Sequence, residues 1–325
     1  MLNNMSYYHY TSLEALNGIL QNNKASKKRL CFWATRYDCF EDKEEYLFGI
    51  DCLGKCLSDL EGHYNLQKDR RIAANFKRDL IAGKKNLPFP YVVSITSRND
   101  NLYMWENYAN HNNGVVLEID IPQKNHEFRE PILYDLEKCI YVESATDKIL
   151  QKLVDSFYID TAWMFLSRWK ENAIPLLKSN PQIFVQFIGV YMLAFFAPRI
   201  KRKEFHKEEE TRIILSIPPQ EYAHFIYSNL GLLQNMFKNL QSNLDVKDIA
   251  NTIVQEKSRL RANNTTCYYR DFYLPKESLL RILTLSNDSK IQAENILQQK
   301  GFNSVKVQRL QLKDNNLCNY SGQCF

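Results

Sequence analysis

Glu208, Glu210 and Arg212 alternate in the stretch Glu208-Glu209-Glu210-Thr211-Arg212, which runs on into Ile213, Ile214 and Leu215. The β-branched Thr and Ile residues predict a strand, and on a strand residues two apart share a face. The two carboxylates would then lie roughly 7 Å apart, at about 3.3 Å of rise per residue. One can polarise a hydroxyl while the other takes a proton from an attacking group, and Arg212 offers a fork for a carboxylate or phosphate. The same alternation also fits an exposed edge strand with a salt-bridged face.

Two further groupings carry chemistry. Near the start, His9-Tyr10-Thr11 sets an imidazole, an aromatic ring and a hydroxyl in succession. The histidine can donate to a ribose hydroxyl and the tyrosine can stack on a planar ring; a structural imidazole among aromatics is the plainer alternative. The stretch SITSRNDNLYMWENYANHNNG, Ser94 to Gly114, leads from hydroxyls through an Asn/Asp turn to Met104, Trp105 and Tyr108 at helical spacing. Polar turns beside aromatic platforms suit nucleotide binding. Met104 and Trp105 equally suit a core, whereas Tyr108 can stack its ring while its hydroxyl stays wet. No Gly-rich phosphate loop, His-Glu-x-x-His or Gly-x-Ser-x-Gly occurs, so nothing points to a P-loop nucleotidase, zinc peptidase or serine hydrolase.

The elements that must position these residues alternate along the chain. SYYHY reads as a strand, and Leu13, Leu16, Ile19 and Leu20 mark a helix face with Thr11 or Ser12 as its N-cap. Strands are predicted at Leu30 to Thr35, Tyr91 to Ser97, Gly114 to Ile121 and Glu208 to Ile217. Helices are predicted from about Lys43 to Lys84, through the middle from Thr146 to Phe196, and from Tyr222 to Arg261. The C-terminal part reads strand, helix, strand, with Gly301 where a helix C-cap belongs. No repeat or clear linker divides the 325 residues, so 1–325 reads as one α+β domain with a helical insertion around 146–197.

Composition sets broad limits. Hydrophobic content of 45% with 24% charged residues is that of an ordinary globular chain. The net charge of +5 is modest, but Lys24 to Leu30, Lys68 to Arg71 and Arg199 to Lys207 are local basic clusters that fit either a solubilising surface or a phosphate path. Eight cysteines form no Cys-x-x-Cys and no common zinc spacing. With no N-terminal signal pattern, reduced thiols in a cytoplasmic protein are expected. The apolar run Ile183 to Pro198 falls short of the roughly 20 residues that span a bilayer.

In their order, these segments resemble a large bacterial family catalogued as domain of unknown function 2971. That family typically reads Tyr-His-Tyr-Thr, then a Phe-Asn-Asp-Pro-x-Glu block, a Met-Trp-x-x-Tyr segment closing on Gly, and a late Glu-x-Glu-x-Arg strand. Here stand Tyr8-His9-Tyr10-Thr11, Met104-Trp105-Glu106-Asn107-Tyr108 with Gly114, and Glu208 to Arg212. The second block keeps Phe40, Asp42 and Glu45 but lacks the Asn and Pro. The family in turn looks like the ADP-ribosyltransferase fold.

What the resemblance implies is an α+β fold with a split mixed β-sheet of ADP-ribosyltransferase type and helical insertions. It implies NAD as co-substrate and no metal, with His9, Tyr10, Thr11, Tyr108 and Arg212 binding NAD and with Glu210 and Glu208 catalytic. The implied activity is mono-ADP-ribosyl transfer to a nucleic acid (RNA or single-stranded DNA) by a toxin of bacterial defence or a toxin–antitoxin system. A neutralising antitoxin protein would be a partner, and no membrane is involved. A protein acceptor, a nucleotide-sensing module without chemistry, and a metal-independent nuclease using His9 and the carboxylates are the alternatives.

Overall fold

The computed structural model describes residues 6–21, 28–40, 42–63, 90–121, 134–156, 196–215, 256–261, 264–313 and 316–318. The strands are β1 (Ser6–Thr11), β2 (Leu20–Gln21), β3 (Arg29–Arg36), β4 (Tyr91–Thr96), β5 (Val115–Asp120), β6 (Tyr134–Lys138), β7 (Ile140–Val142), β8 (Ile200–Arg202), β9 (Glu210–Leu215), β10 (Lys257–Leu260), β11 (Thr266–Pro275), β12 (Leu279–Thr284) and β13 (Lys306–Arg309). Helices α1 (Leu13–Ile19), α2 (Lys43–His63), α3 (Leu102–Tyr108) and α4 (Asn287–Lys300) accompany them. Local chemistry sets the ends. The Ser12 hydroxyl accepts from the Ala15 N–H at 3.1 Å to open α1, and Gly301, at φ 71°, closes α4 in the left-handed conformation.

Eleven strands form one mixed sheet, whose main path runs β10-β11-β3-β4-β1-β5-β12-β13. The only parallel pair in it among the described residues is β12 with β13, joined through α4. β7 and β8 form a separate parallel pair.

β4 is where this sheet divides. One of its edges pairs with β9 along its whole length, Tyr91 to Leu215 through Thr96 to Glu210. Its other edge is shared. Tyr91 and Val92 pair with β3, whereas Thr96 pairs with Tyr8 of β1. β3 and β1 therefore part from β4 like the arms of a fork.

Register assigns the faces. Tyr8, Thr96 and Glu210 form one row across β1, β4 and β9, so they and residues two apart from them share a side. The opposite side holds the main core, where Phe32, Ile95, Leu117, Ile213 and Ile282 meet Leu16 of α1 and Leu297 of α4. Beneath α3, on the side of Glu210, lies a smaller core of Tyr10, Met104, Trp105, Val116 and Leu283. A third cluster joins α2 to β7 and β8 through Leu53, Leu57, Val142 and Ile200.

Several expectations are corrected. β9 is no edge strand: it lies between β4 and β6 and all its residues are buried. It starts at Glu210, because Glu208 closes a 3-10 turn (Lys203–Glu208) and Glu209, at φ 45°, breaks the extended chain. Residues 257–260 form β10 where a helix was expected. The remainder of that predicted helix, residues 64–84 of the first long one and most of the insertion around 146–197 lie outside the described residues. No described helix is long and apolar enough to cross a membrane.

Asn110, His111 and Asn112 follow α3 with φ of 47°, 51° and 67°, three consecutive left-handed residues that turn the chain back to β5. Gly114 completes that turn where a Cβ would stand 2.3 Å from the Thr11 carbonyl oxygen and 2.7 Å from that of Ala109. Both neighbours are backbone and have little room to give. Gly114→Ala is expected to cost about 1–3 kcal/mol, as overpacked sites do. A lowered urea midpoint checks this, and an unchanged one would show that the β1–α3 junction yields freely.

Candidate functional site

The side of the sheet that carries Glu210 also carries Arg212, one step further along β9. Both are buried, and their side chains meet: Arg212 Nε donates to Glu210 Oε1 at 2.8 Å and Nη2 to Oε2 at 3.0 Å. The same guanidinium reaches the Glu45 carboxylate on α2 and the Pro198 carbonyl. Lys201 of β8 enters from the other side, its Nζ 2.6 Å from Glu208 Oε2, 2.6 Å from Glu210 Oε2 and 3.6 Å from Glu45 Oε2. Three carboxylates thus surround two cations in a space closed to water. Phe40 and Tyr37 stand over the guanidinium, with centroids 5.2 and 5.9 Å away.

Electrostatics within the cluster are strong because all five side chains are buried. Burial alone would raise the Glu210 carboxyl, but Arg212 and Lys201 overcome it and hold the group well below the usual carboxylate range. Burial likewise disfavours charge on Lys201, yet Glu210, Glu45 and Glu208 keep its ammonium above its ordinary value.

Glu210 has no oxygen to spare. Glu208 is likewise engaged at both oxygens, Oε2 by Lys201 and Oε1 by the Tyr108 hydroxyl at 2.7 Å. Tyr108 ends α3, and its side of the cluster faces outward: the residue is 45% exposed. Burial of its hydroxyl end, followed by the Glu208 charge, raises the phenol above its ordinary value.

The polar turn before α3 fastens these parts together. Asn101 caps α3 by accepting from the Met104 N–H at 3.3 Å, and its amide donates to the Lys207 carbonyl at 2.5 Å. Thr96 Oγ1 donates to the Glu209 carbonyl at 3.0 Å, and Arg98 pairs with Glu209 at 3.3 Å. The Glu210 N–H donates to the Tyr141 hydroxyl at 2.7 Å. The left-handed Glu209 is held from both sides, so Glu208 is delivered to Lys201 although it is not on the strand.

Glu208, Glu210, Arg212 and Tyr108 are therefore brought together. His9, Tyr10 and Thr11 are not. His9 lies on the opposite side of the sheet from Glu210, inside the fork. Its ring meets Phe32 of β3 edge-on at 5.2 Å, and its Nδ1 lies 2.9 Å from the Ser94 carbonyl of β4. The carbonyl can only accept, so Nδ1 carries the proton and supplies the bond that a strand would otherwise make there. Tyr10 is buried against Trp105 and donates to the Arg98 carbonyl at 2.9 Å, and Thr11 is buried behind Gly114.

Burial lowers the His9 pKa from 6.5, partly offset by the Ser94 carbonyl. A depressed histidine is protonated in the unfolded chain first, so its contribution is complete above about pH 6.5 and is lost as pH falls below it. His9→Leu should remove that component of the pH–stability curve and cost about 1–3 kcal/mol at pH 7.5, because the Ser94 carbonyl loses its donor. Urea midpoints of both proteins from pH 5 to 7.5 check this. Parallel curves would sink it.

Two members of the cluster escaped the sequence reading. Lys201 sits in the basic run Arg199 to Lys207, which was read as surface or phosphate path, yet it is 3% exposed. Glu45 belongs to the degraded second block, whose retained residues all find work: Glu45 and Phe40 on Arg212, and Asp42 on Arg202. Among the described residues, no three His, Cys, Asp or Glu side chains are arranged to hold a metal ion.

Fold and site define an α+β protein with a divided mixed sheet and a buried carboxylate–cation cluster. Residues 104–213 match the family described as Protein of unknown function (DUF2971). That stretch contains Tyr108, Lys201, Glu208, Glu210 and Arg212, and stops short of His9 and Glu45. No curated protein and no solved structure matches the chain.

Proposed function

We propose that the protein transfers ADP-ribose from NAD to a nucleic acid, RNA or single-stranded DNA. The observation that carries this reading is the charge of the cluster: Glu45, Glu208 and Glu210 exceed Lys201 and Arg212 by one negative charge, and the outward end is Glu208 with Tyr108. A fixed negative charge stabilises a developing cation, and cleavage at the C1′ carbon of a ribosyl-nicotinamide develops one. Glu210, gripped by Arg212 and Lys201, keeps its charge and its place. Glu208 takes the proton of the acceptor. Tyr108 offers a ring face for the nicotinamide.

The step balances as follows in atoms. The C1′–nitrogen bond breaks and its electron pair stays on the departing nicotinamide. A lone pair of the acceptor forms the new bond to C1′, and the acceptor's proton passes to Glu208. The expected His9-Tyr10-Thr11 half of an NAD clamp has no part in this: His9 supports the fork and Tyr10 fills the core beneath α3.

One observation favours a second reading, a nucleotide-sensing module. Glu210 is 4% exposed and both its oxygens are occupied, which suits a structural anchor as well as an electrostatic one. Labelled NAD mixed with the full chain and bacterial lysate separates the two. Label removed by nuclease supports the proposal, and label removed only by protease changes the acceptor. Neither label nor free nicotinamide would leave the sensor.

A further inference from the structure

Away from the carboxylates, β11 and β3 bury one side and leave much of the other open, and β10 beside them is exposed throughout. On β11, Arg270, Phe272 and Leu274 are buried while Tyr269, Asp271 and Tyr273 are partly exposed. On β3, Leu30, Phe32 and Ala34 are buried while Trp33 between them is 46% exposed. Register sets Asp271 opposite Trp33 and Tyr273 opposite Cys31, with Lys257 opposite Tyr269 and Arg259 opposite Cys267. Trp33, Tyr269, Tyr273, Arg29, Lys257 and Arg259 thus share one open side of the sheet.

Their rings and cations are layered. Trp33 and Tyr269 lie 4.9 Å apart with planes inclined by 36°, the Arg259 guanidinium stands 4.8 Å from the Trp33 ring, and that of Arg29 is 3.6 Å from the Tyr273 ring. Among the described residues of this side, Lys257 and Arg259 stand beside one acid, Asp271, which Lys257 and Tyr273 engage. A lone exposed tryptophan is ordinary. A group of part-exposed aromatic rings beside a positive excess is a surface on which bases stack while phosphates are neutralised.

We infer that this side of β10, β11 and β3 is a stacking platform for single-stranded nucleic acid. Duplex is excluded by chemistry, since paired bases do not offer their faces to flat rings. In register, Thr35 of β3, Val92 of β4 and Ile214 of β9 form one row, so the platform and Glu210 lie on the same side of the sheet. Two strand spacings separate β3 from β9, roughly 10 Å at about 4.8 Å each. The platform carries a positive excess and the cluster a negative one, so the phosphate backbone is held on the first while only the acceptor group reaches the second. As the place where the acceptor sits, the inference rests on the transferase reading; as a binding surface, it stands alone.

The test is fluorescence anisotropy with labelled 15-mer dT and U strands and the full chain, without NAD, at rising salt. Wild type should bind both, ignore duplex competitor, and show a slope of log affinity against log salt of about −1.4, as for two phosphate contacts on a single strand. Trp33→Ala should weaken binding about 10-fold or more, and Arg259→Glu, on an exposed strand, should do likewise while leaving the buried core untouched. Circular dichroism and the urea midpoint establish that both variants fold. No wild-type binding at low salt, wild-type affinity in both folded variants, or equal affinity for duplex would overturn the inference. Binding with no consumption of NAD keeps the platform and sinks the transferase; NAD consumption with no binding does the reverse.

Discussion

Arg212→Met should lower the free energy of unfolding by about 3–5 kcal/mol, the range for breaking a buried ion pair from one side. Met keeps the aliphatic stem but lacks the planar head, so the loss combines the missing charge and hydrogen bonds with a small void. Without the guanidinium, Glu45 and Glu210 lose hydrogen bonds and three carboxylates share only Lys201. The Pro198 carbonyl also loses its donor. Glu210→Gln is the contrast: it removes the surplus charge and leaves no carboxylate without a cation, although its amide nitrogen faces a donor of Arg212 or Lys201, so its loss should be smaller. Urea unfolding at pH 7 compares them. A loss under about 1 kcal/mol for Arg212→Met would mean that water already solvates the cluster. Acid adds a second reading. Glu210 is depressed from 4.5, so its contribution is present above about pH 4.5 and lost as pH falls below it. That window lies below the one set by His9, and the two can be separated in one titration.

How far the sequence shows this site depends on the kind of signal each residue leaves. Ser12 and Gly301 mark helix ends by chemistry that acts within a few residues, and the β-branched runs at β4, β5 and β9 report burial directly. Period two in Tyr8-His9-Tyr10 shows that the histidine faces away from the tyrosines. Which side holds the carboxylates was fixed only by the row Tyr8, Thr96, Glu210, a matter of long-range register. Glu209 is in a conformation that glutamate seldom adopts, so three consecutive glutamates read as continuous strand. Lys201 was hidden by its neighbours, because a basic run looks the same whether or not one member turns inward. Ile200, wholly buried beside it, was the signal that β8 has an inner side.

Glu208→Gln should reduce transfer by roughly 10²–10⁴-fold, the usual value of a general base, and leave the fold in place. Gln keeps an oxygen to accept from Tyr108 or Lys201, the other losing its acceptor, and it removes the one negative charge by which the cluster exceeds its cations, so no carboxylate is left without a cation as in Arg212→Met. The two glutamates then separate by which reaction they lose. Bond cleavage at C1′ is driven by the field of the cluster, to which Glu210 contributes from a fixed position, whereas proton removal falls to Glu208, the carboxylate bonded to the half-exposed Tyr108. Glu208→Gln should therefore lose transfer more severely than it loses release of free nicotinamide, and Glu210→Gln should lose both together. Measuring nicotinamide release beside labelled transfer for each variant reads the difference. Equal losses of the two reactions in Glu208→Gln would falsify the base assignment and place Glu208 with Glu210 as part of the electrostatic support.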